Sequence, residues 1–208
     1  MTDPQELVRN ARWLGHASIV VRGTKTVYVD PWEVSASDPA DVILITHDHY
    51  DHLSLPDIDR LARPDTAIVG PAMCRTQLGS RLTVIEPGAG LTVHGVELEA
   101  IRAYNPKKQF HPKEYGGLGF VFTVDDVRYY HSGDTDRIHE MGTVRADVAF
   151  LPVGGKYTMD AAEAAEVPTL VRARVAVPMH YAKIVGELAD AQRFARLCKV
   201  PVVILERS

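Results

Sequence analysis

The stretch Val42-Ile43-Leu44-Ile45-Thr46-His47-Asp48-His49-Tyr50-Asp51-His52 decides how the rest of this 208-residue sequence is interpreted. Its first four residues are apolar, three of them are β-branched, and they predict a short strand that is buried on both faces. The next part of the stretch places three histidines and two aspartates within positions 47–52. The predicted strand therefore ends in a dense group of ionisable side chains.

This density of imidazoles and carboxylates indicates a metal site. Both groups are usual ligands of zinc and similar divalent ions, whereas neighbouring carboxylates without a cation would raise each other's pKa. His47 and His49 are only two positions apart, which excludes the helical His-Glu-x-x-His arrangement. Residues two apart in an extended loop point the same way, so we expect His47 and His49 on one ion, and Asp51 and His52 on a second.

Length and composition limit the class of protein. The chain can bury one sizeable core and contains no Ser-, Gly- or Pro-rich linker, so we expect a single domain over residues 1–208. A net charge of -4 makes nucleic acid an unexpected partner, and no stretch reaches the roughly 20 apolar residues of a membrane span. Cys74 and Cys198 do not indicate a disulfide framework, so we expect free thiols and a cytoplasmic location. A homo-oligomer is compatible with the sequence.

Other predicted strands also end in polar residues. Asp30 follows a strand over 26–29, where it could orient a metal-bound histidine or form an Asx turn before a proline. His16 precedes a strand over 17–21 and could face the site or be structural. Gly133 permits a tight turn after a strand over 127–130, so that Asp134 could point back at the cluster. His180 lies at the end of a predicted strand over 174–177, beside an apolar run.

Residues 104–117 form the least regular segment, with aromatics, prolines, three lysines and a closing glycine pair. We interpret the segment as a rim or lid over the metals, with an ordinary solvated connection as the alternative. Lysine and tyrosine side chains suit phosphate or carboxylate recognition, although loop lysines are often only solvated. The expected substrate rim consists of Lys107, Lys108, Tyr157 and Tyr181, with Lys113, Lys156 and Lys183 nearby.

The remaining expectations concern secondary structure. His94-Gly95 predicts a hairpin turn with an exposed histidine, and His139 is expected on the surface of a short helix that begins near Asp136. Asp160 and Glu163 predict a capping box for one helix that continues to about Arg172. A helix over 188–198 and an edge strand over 202–205 are expected to complete the chain.

The segment Thr46–His52 matches the His-x-His-x-Asp-His signature of the metallo-β-lactamase superfamily. Further blocks occur in the order found in that family, and they resemble its branch that includes the ascorbate-6-phosphate lactonases: WLGHAS at 13–18, VDPW at 29–32, HSGDT at 131–135, LPVGG at 151–155 and PMHY at 178–181. The resemblance implies an α+β fold, a four-layer αββα sandwich of two mixed sheets flanked by helices. It also implies that Asp134 bridges two ions and that His180 ligates the second.

The sequence departs from this family at Asn105, where most relatives have a third histidine for the first ion. Either Asn105 ligates weakly, or His111 reaches the ions from the loop, or the first site is open. His131 is expected beside the ligands rather than among them.

The expected activity is hydrolysis by a metal-activated water. Two divalent ions, zinc or alternatively manganese or iron, would be held by His47, His49, Asp51, His52, Asp134 and His180, and a bound ion can lower the pKa of water from about 15.7 to about 7. Asp51 could accept the proton of the attacking water, and His111 is the other candidate catalytic residue. The expected substrate is a small anionic ester, phosphodiester or lactone.

Two alternatives remain open. A nuclease of the same fold would need a basic groove, and its nucleic-acid binding would depend on salt. A non-catalytic metal-binding or sensory domain would be expected to lack ligands, and only position 105 departs from the pattern.

Overall fold

Two β-sheets, each of six strands, form the centre of the computed structural model, which describes residues 3–35 and 38–208. The first sheet contains β1 (Ala11–Gly15), β2 (Ser18–Arg22), β3 (Thr26–Val29), β4 (Val42–Leu44), β5 (Ala67–Gly70) and β6 (Leu82–Val84). The second contains β7 (Gly90–Val93), β8 (Val96–Arg102), β9 (Leu118–Val124), β10 (Val127–His131), β11 (Val148–Pro152) and β12 (Val175–Met179).

Helices flank the two sheets. The α-helices are α1 (Pro4–Val8), α2 (Leu55–Leu61), α3 (Arg75–Leu78), α4 (Ala161–Ala164), α5 (Val167–Leu170) and α6 (Leu188–Leu197). Short 3-10 helices occupy Ala72–Cys74, Gly79–Arg81, Lys113–Tyr115 and His139–Thr143. Among the described residues, no helix combines the length and the apolar character that crossing a bilayer requires.

Both sheets are mixed. Strands β1 to β3 pair antiparallel and β3 to β6 pair parallel, whereas β7 to β10 pair antiparallel and β10 to β12 pair parallel. Sheets of this kind with helices on their outer sides confirm the αββα sandwich expected from the sequence.

The alternation of side chains along β4 explains its continuous apolar sequence. Val42 and Leu44 belong to the large cluster between the sheets, and Ile43 and Ile45 to a second cluster under helix α2. All four are fully buried, because successive residues of a strand face opposite sides of the sheet. The strand therefore fixes the start of the histidine loop from both sides.

Helix α2 follows that loop. Ser54 is the N-cap and its hydroxyl accepts a hydrogen bond from the Asp57 N–H, while Pro56 lies in the first turn, where its missing N–H costs nothing. Ile58 and Leu61 are fully buried against the first sheet. Cys74, buried in the same cluster, is a free thiol, as is Cys198.

Strand β1 is absent from the sequence-based expectation. Trp13, Leu14 and Gly15 are all buried, so buried and exposed residues do not alternate along the strand. Without that alternation, the sequence shows no two-residue period by which the strand could be recognised. The strand pairs with β2 along one edge and with Arg207 in a single bridge.

Several other expectations about local structure were wrong. The helix expected from Asp160 to about Arg172 is two short helices, since Pro168 lies in the first turn of α5 and cannot continue α4. Asp160 does cap α4, but the Glu163 carboxylate accepts from the Arg137 N–H, so the capping box is not completed.

The expected edge strand over 202–205 is reduced to one bridge between Val202 and Ala176, because the chain leaves β12 after that pair. The helix expected near Asp136 is a 3-10 helix that begins at His139.

Candidate metal centre

The candidate ligands lie at the carboxyl ends of strands from both sheets. Strand β4 leads into the loop with His47, His49, Asp51 and His52, and three strands of the second sheet lead to His111, Asp134 and His180. His16 lies in the turn between β1 and β2. Segments that are distant in sequence therefore meet at one edge of the sandwich.

Three imidazoles form the first group. His47 Nε2 lies 3.0 Å from His49 Nδ1, and His111 Nε2 lies 3.1 Å from the same atom. The three nitrogens lie within 4.8 Å of one another and could hold one ion. His49 is half-buried, whereas the other two are buried.

The second group consists of His16, Asp51, His52 and His180, with ligand atoms again within 4.8 Å of one another. His16 Nε2 lies 3.0 Å from Asp51 Oδ2, and His52 Nε2 lies 3.9 Å from the same oxygen. His16 is thus inside the cluster, which leaves both a ligand role and a hydrogen bond to Asp51 open to it.

Asp134 lies between the two groups. Its Oδ2 is 3.1 Å from His180 Nε2 and 3.7 Å from His111 Nε2, and its Oδ1 is 3.5 Å from His52 Nε2. A single carboxylate therefore faces imidazoles of both groups, the position that a bridging ligand requires.

Unsatisfied buried atoms test whether this cluster fits a metal. His52 Nε2, His180 Nε2 and Asp134 Oδ1 are buried without a hydrogen-bond partner. An unsatisfied buried polar group costs about 1–3 kcal/mol, and cations coordinate such nitrogen and oxygen lone pairs. The donor set and its unpaired atoms together fit a borderline divalent ion.

The electrostatics of the cluster agree with this fit. Burial lowers the pKa of His47 well below its usual value, so the imidazole is neutral. Burial alone would raise the pKa of Asp134, but His180 and His52 outweigh it and hold that pKa well below the usual range. Burial would lower the pKa of His52, but the Asp134 and Asp30 carboxylates raise it well above the usual value. A bound cation would take the place of that proton between the two carboxylates.

Asp30 and Thr46 orient the histidine loop. Asp30 is fully buried, and its Oδ2 lies 2.7 Å from His52 Nδ1. The same carboxylate accepts from the Thr46 N–H at 2.8 Å and from the Thr46 hydroxyl at 2.6 Å. The Nδ1 of His52 is thereby fixed as a donor, and its Nε2 is directed at Asp134.

His131 lies beneath the cluster with both ring nitrogens engaged. Its Nε2 lies 2.8 Å from the Ala17 carbonyl, and its Nδ1 accepts from the Gly133 N–H at 3.2 Å. Neither nitrogen is free for a metal, so this histidine shapes the turn that carries Asp134.

Asn105 directs its side chain into the loop that carries His111. Its Nδ2 donates to the Phe110 carbonyl at 2.8 Å and to the Tyr157 carbonyl at 2.6 Å, and its N–H donates to the His111 carbonyl at 2.7 Å. The Nδ1 of His111 lies 3.3 Å from Asn105 Nδ2, and the Nε2 of that ring faces the cluster. The amide braces the loop at the position where a histidine was expected.

The expected substrate rim is brought together only in part. Tyr157 lines the cavity above the cluster. Tyr181 is buried and stacks on Trp13, with ring centroids 4.6 Å apart. Lys108 pairs with Asp136, and Lys107 lies at a separate depression beside it. Three of the four expected rim residues therefore do not line the cavity, and contacts with Asp136 and Trp13 direct Lys108 and Tyr181 elsewhere.

The cavity has a volume of about 280 Å³. Its floor is polar and its walls are apolar, and it is lined by His49, Tyr50, Asp51, Phe110, His111, Asp134, Tyr157, His180 and Ile184. The sequence reasoning missed Tyr50, Phe110 and Ile184 as cavity residues. Tyr50 and Phe110 each adjoin a candidate site residue in sequence, which is the signal that could have found them.

Four of the ten non-glycine residues with a positive φ in the described part of the chain belong to this site. His16, Asp30, His111 and His180 all adopt left-handed backbone conformations, with φ between 46° and 57°. Such conformations are uncommon for residues other than glycine and recur at functional sites, where the surrounding fold imposes them. Here each one redirects a side chain just beyond a strand or at the end of a loop.

Comparison with known proteins yields consistent matches. The family described as beta-lactamase superfamily domain matches residues 10–180. A metal-dependent hydrolase of Methanoculleus marisnigri is 34% identical over 194 residues, covering 88% of this chain and 86% of the relative. One of Thermococcus onnurineus is 32% identical over 213 residues, covering 94% and 95%. A solved structure from Parabacteroides distasonis, assigned as a metal-dependent hydrolase, has a TM-score of 0.85 at 29% identity, covering 95% and 93%.

Proposed function

This chain belongs to the beta-lactamase superfamily domain family, and from that membership we propose that it is a hydrolase with two divalent ions at the cluster described above. The observation that supports the proposal most is Asp134, buried between two groups of imidazoles with one oxygen that lacks a hydrogen-bond partner. We propose further that residues 1–208 act as one hydrolase domain.

The residues divide naturally between two ions. His47, His49 and His111 would hold the first, and Asp51, His52 and His180 the second, with Asp134 shared. Bound divalent ions lower the pKa of a coordinated water and polarise the oxygen of the bond to be cleaved. Zinc suits this mixture of nitrogen and oxygen donors, and manganese or iron are the alternatives.

The side chains of this chain supply the positioning and the proton transfer. Asp51 lines the cavity, and burial alone would raise its pKa, but the hydrogen bond from His16 and the nearby His52 lower it. This carboxylate is therefore ionised, and it would accept the proton of the attacking water and return it to the leaving group. Asp30 would keep His52 in the ligating orientation throughout.

The substrate is a small molecule in this proposal. A cavity of about 280 Å³ is close to the lower end of the roughly 300–1,000 Å³ typical of ligand pockets. Esters, lactones and phosphodiesters are all cleaved by an activated water. Likeness to the ascorbate-6-phosphate lactonase branch remains a prediction.

Metal analysis combined with a substrate panel tests the function. The protein is stripped with a chelator, reloaded separately with Zn²⁺, Mn²⁺ or Fe²⁺, and assayed on an ester, a lactone, a thioester and a phosphodiester. We expect about two metal equivalents per chain and turnover that disappears in the stripped protein. Asp134→Asn should lose metal and lower kcat by more than about 100-fold, since partners of metal ligands alone often cost 10–100-fold. Asp126→Asn, in an exposed hairpin turn, is the matched control.

Two outcomes would overturn the proposal. Two bound equivalents without turnover of any substrate would favour a metal-binding sensory protein. Binding of RNA or DNA that weakens steeply with salt, accompanied by strand cleavage, would favour a nuclease.

A further inference from the structure

The mouth of the metal cavity is built from exposed apolar side chains. Among the described residues, Tyr50, Phe110 and Ile184 are 69%, 46% and 37% exposed, and all three line this one cavity. Only two other large apolar side chains of the described part of the chain are comparably exposed, Leu188 and Leu197. Single exposed apolar residues are ordinary, but apolar residues that converge on one concave site indicate a ligand surface.

These side chains come from separate segments and are held by ring contacts. Phe110 packs edge-on against Tyr157, with ring centroids 4.9 Å apart and planes at 82°. Tyr50 packs edge-on against Trp32, with centroids 6.0 Å apart. Both arrangements fall within the preferred geometry of aromatic pairs. The apolar wall is therefore formed before any ligand arrives.

Positive side chains near the mouth are directed at other protein groups. Lys108 pairs with Asp136 and donates to the Thr158 carbonyl at 2.8 Å. Lys183 pairs with Glu33, and its ammonium lies 4.8 Å from the centre of the Trp32 ring. Of the described residues that line the cavity, none is a lysine or an arginine. Lys156 is exposed, and its ammonium lies beside the wall, 5.0 Å from the centre of the Tyr157 ring. An anionic tail on the substrate would meet no lysine or arginine among the described lining residues themselves.

The polar groups of the cavity lie together on its floor. They are the candidate metal ligands and Asp51, so the bond to be cleaved would lie there. Whatever is attached to that bond would then contact the aromatic and aliphatic wall. Apolar contact of this kind contributes roughly fourfold in affinity for each buried methylene.

We propose that this protein hydrolyses a small carboxylic ester or thioester whose acyl group is uncharged and apolar, either a short aliphatic chain or a single aromatic ring. The inference rests on the proposed hydrolase function. In the reaction the water oxygen bonds to the acyl carbon, the bond from that carbon to the leaving oxygen or sulfur breaks, and the water proton passes through Asp51 to the leaving group.

A matched ester series tests the acyl preference. The metal-loaded protein is assayed on p-nitrophenyl acetate, butyrate and hexanoate, and on mono-p-nitrophenyl succinate, whose acyl group carries a charge. We expect kcat/KM to rise about fourfold for each added methylene that is buried, and the succinate ester to be cleaved at least tenfold more slowly than the butyrate ester. Equal or faster cleavage of the succinate ester would overturn the inference and leave the hydrolase function standing.

Variants of residues in the apolar wall test whether that wall causes the preference for an apolar acyl group. Phe110→Ala should lower kcat/KM for the hexanoate ester about tenfold and for the acetate ester less than twofold. Ile184→Lys should bring kcat/KM for the succinate ester closer to kcat/KM for the butyrate ester. Leu197→Ala removes an equally apolar exposed side chain that does not line the cavity, and it should change neither ratio. Unchanged ratios in Phe110→Ala would contradict the assignment of the wall.

Binding measured without turnover separates the two proposals. Calorimetry of the metal-loaded protein with acetate, butyrate, hexanoate and succinate should give the tightest binding for hexanoate, and Phe110→Ala should remove that advantage. Preferential hexanoate binding without cleavage of any ester would refute the hydrolase function while supporting the apolar ligand class. Tighter binding of succinate, or no gain from acetate to hexanoate, would refute the apolar class.

Discussion

Asn105 stands where most relatives have a ligand histidine, but it braces a loop, and His111 on that loop faces the metal cluster instead. The amide nitrogen of Asn105 donates to two carbonyls, and an amide nitrogen carries only two hydrogens, so this nitrogen is committed to the loop, whereas the amide oxygen is buried without a hydrogen-bond partner. His111 brings its Nε2 within 3.1 Å of His49 Nδ1 from six residues further along. A braced loop thus supplies an imidazole that the end of strand β8 lacks.

Replacing His111 tests its role as a ligand. In His111→Ala we expect the first ion to be lost or to bind more than about 100-fold more weakly, because a direct ligand matters at least as much as the partners of ligands. Elemental analysis and metal titration measure this change. His94→Ala is the matched control, since His94 also has a left-handed backbone but lies exposed in a hairpin turn. Two tightly bound equivalents in His111→Ala would refute the assignment.

Replacing Asn105 tests the brace. Asn105→Ala removes the bonds to the Phe110 and Tyr157 carbonyls and should weaken the first ion about 10–100-fold, less than the loss of His111 itself. The second ion should be bound as in the parent protein. Gln109→Ala, an exposed amide in the same loop, should leave both affinities unchanged. An effect of Asn105→Ala as large as that of His111→Ala would instead indicate direct ligation by Asn105.

At the scale of elements, the segment between β8 and β9 is anchored at several points to the segments that follow β10 and β11. Lys108 reaches Asp136 and the Thr158 carbonyl, and the Tyr104 hydroxyl donates to Glu140 at 3.1 Å. The lysine that the sequence suggested for substrate recognition therefore serves to fix the segment. Because His111 and Phe110 belong to the same segment, its anchoring affects both the metal site and the apolar wall.

Replacing Lys108 distinguishes an anchor from a substrate contact. Lys108→Met keeps the aliphatic stem but loses the ion pair, so hydrogen exchange of the amides over residues 105–113 should accelerate several-fold. Lys107→Met, at the exposed neighbouring position, should leave exchange unchanged. If Lys108 instead contacted an anionic substrate, KM for the succinate ester would rise in Lys108→Met with no change in exchange.

At the scale of the whole molecule, the metal cluster joins the two sheets. His47, His49, Asp51 and His52 follow a strand of the first sheet, whereas Asp134 and His180 follow strands of the second. An ion held by groups from both sheets binds only the folded chain, and its binding free energy adds to the stability of the fold. Without it, carboxylates and imidazoles with unsatisfied atoms remain buried together.

Metal removal should therefore lower the melting temperature. Metal at about 100 times its dissociation constant stabilises the folded state by about 2.7 kcal/mol, which corresponds to about 5–11 °C for a chain of this length. Calorimetric scans with and without a chelator measure the shift. The double variant Asp134→Asn, His180→Ala should show little dependence on the chelator. A chelator-insensitive melting temperature in the parent protein would argue against an ion that links the sheets.

Much of the fold follows from local patterns in the sequence. The apolar run before His47 predicts a doubly buried strand, and Pro56 predicts the start of the helix that follows. Strand β1 and the division between α4 and α5 were not predicted, because Trp13-Leu14 lacks alternation and Pro168 falls in a helix-like stretch. Pairing with β2 determines the conformation of β1, whereas the division between α4 and α5 had a local signal in Pro168 that the expected single helix did not take into account.

The sequence by itself determined the chemistry of the candidate site, since a residue carries its imidazole or carboxylate wherever the chain places it. Strand ends could be located from apolar runs, and His47, Asp134 and His180 all follow such ends. Only the tertiary structure decided which side chains face the cavity. Lys108 and Tyr181 have the chemistry of a substrate contact, but an ion pair with Asp136 and stacking on Trp13 direct them elsewhere. The direction in which a side chain points depends on contacts between segments that are distant in sequence, and no local pattern encodes those contacts.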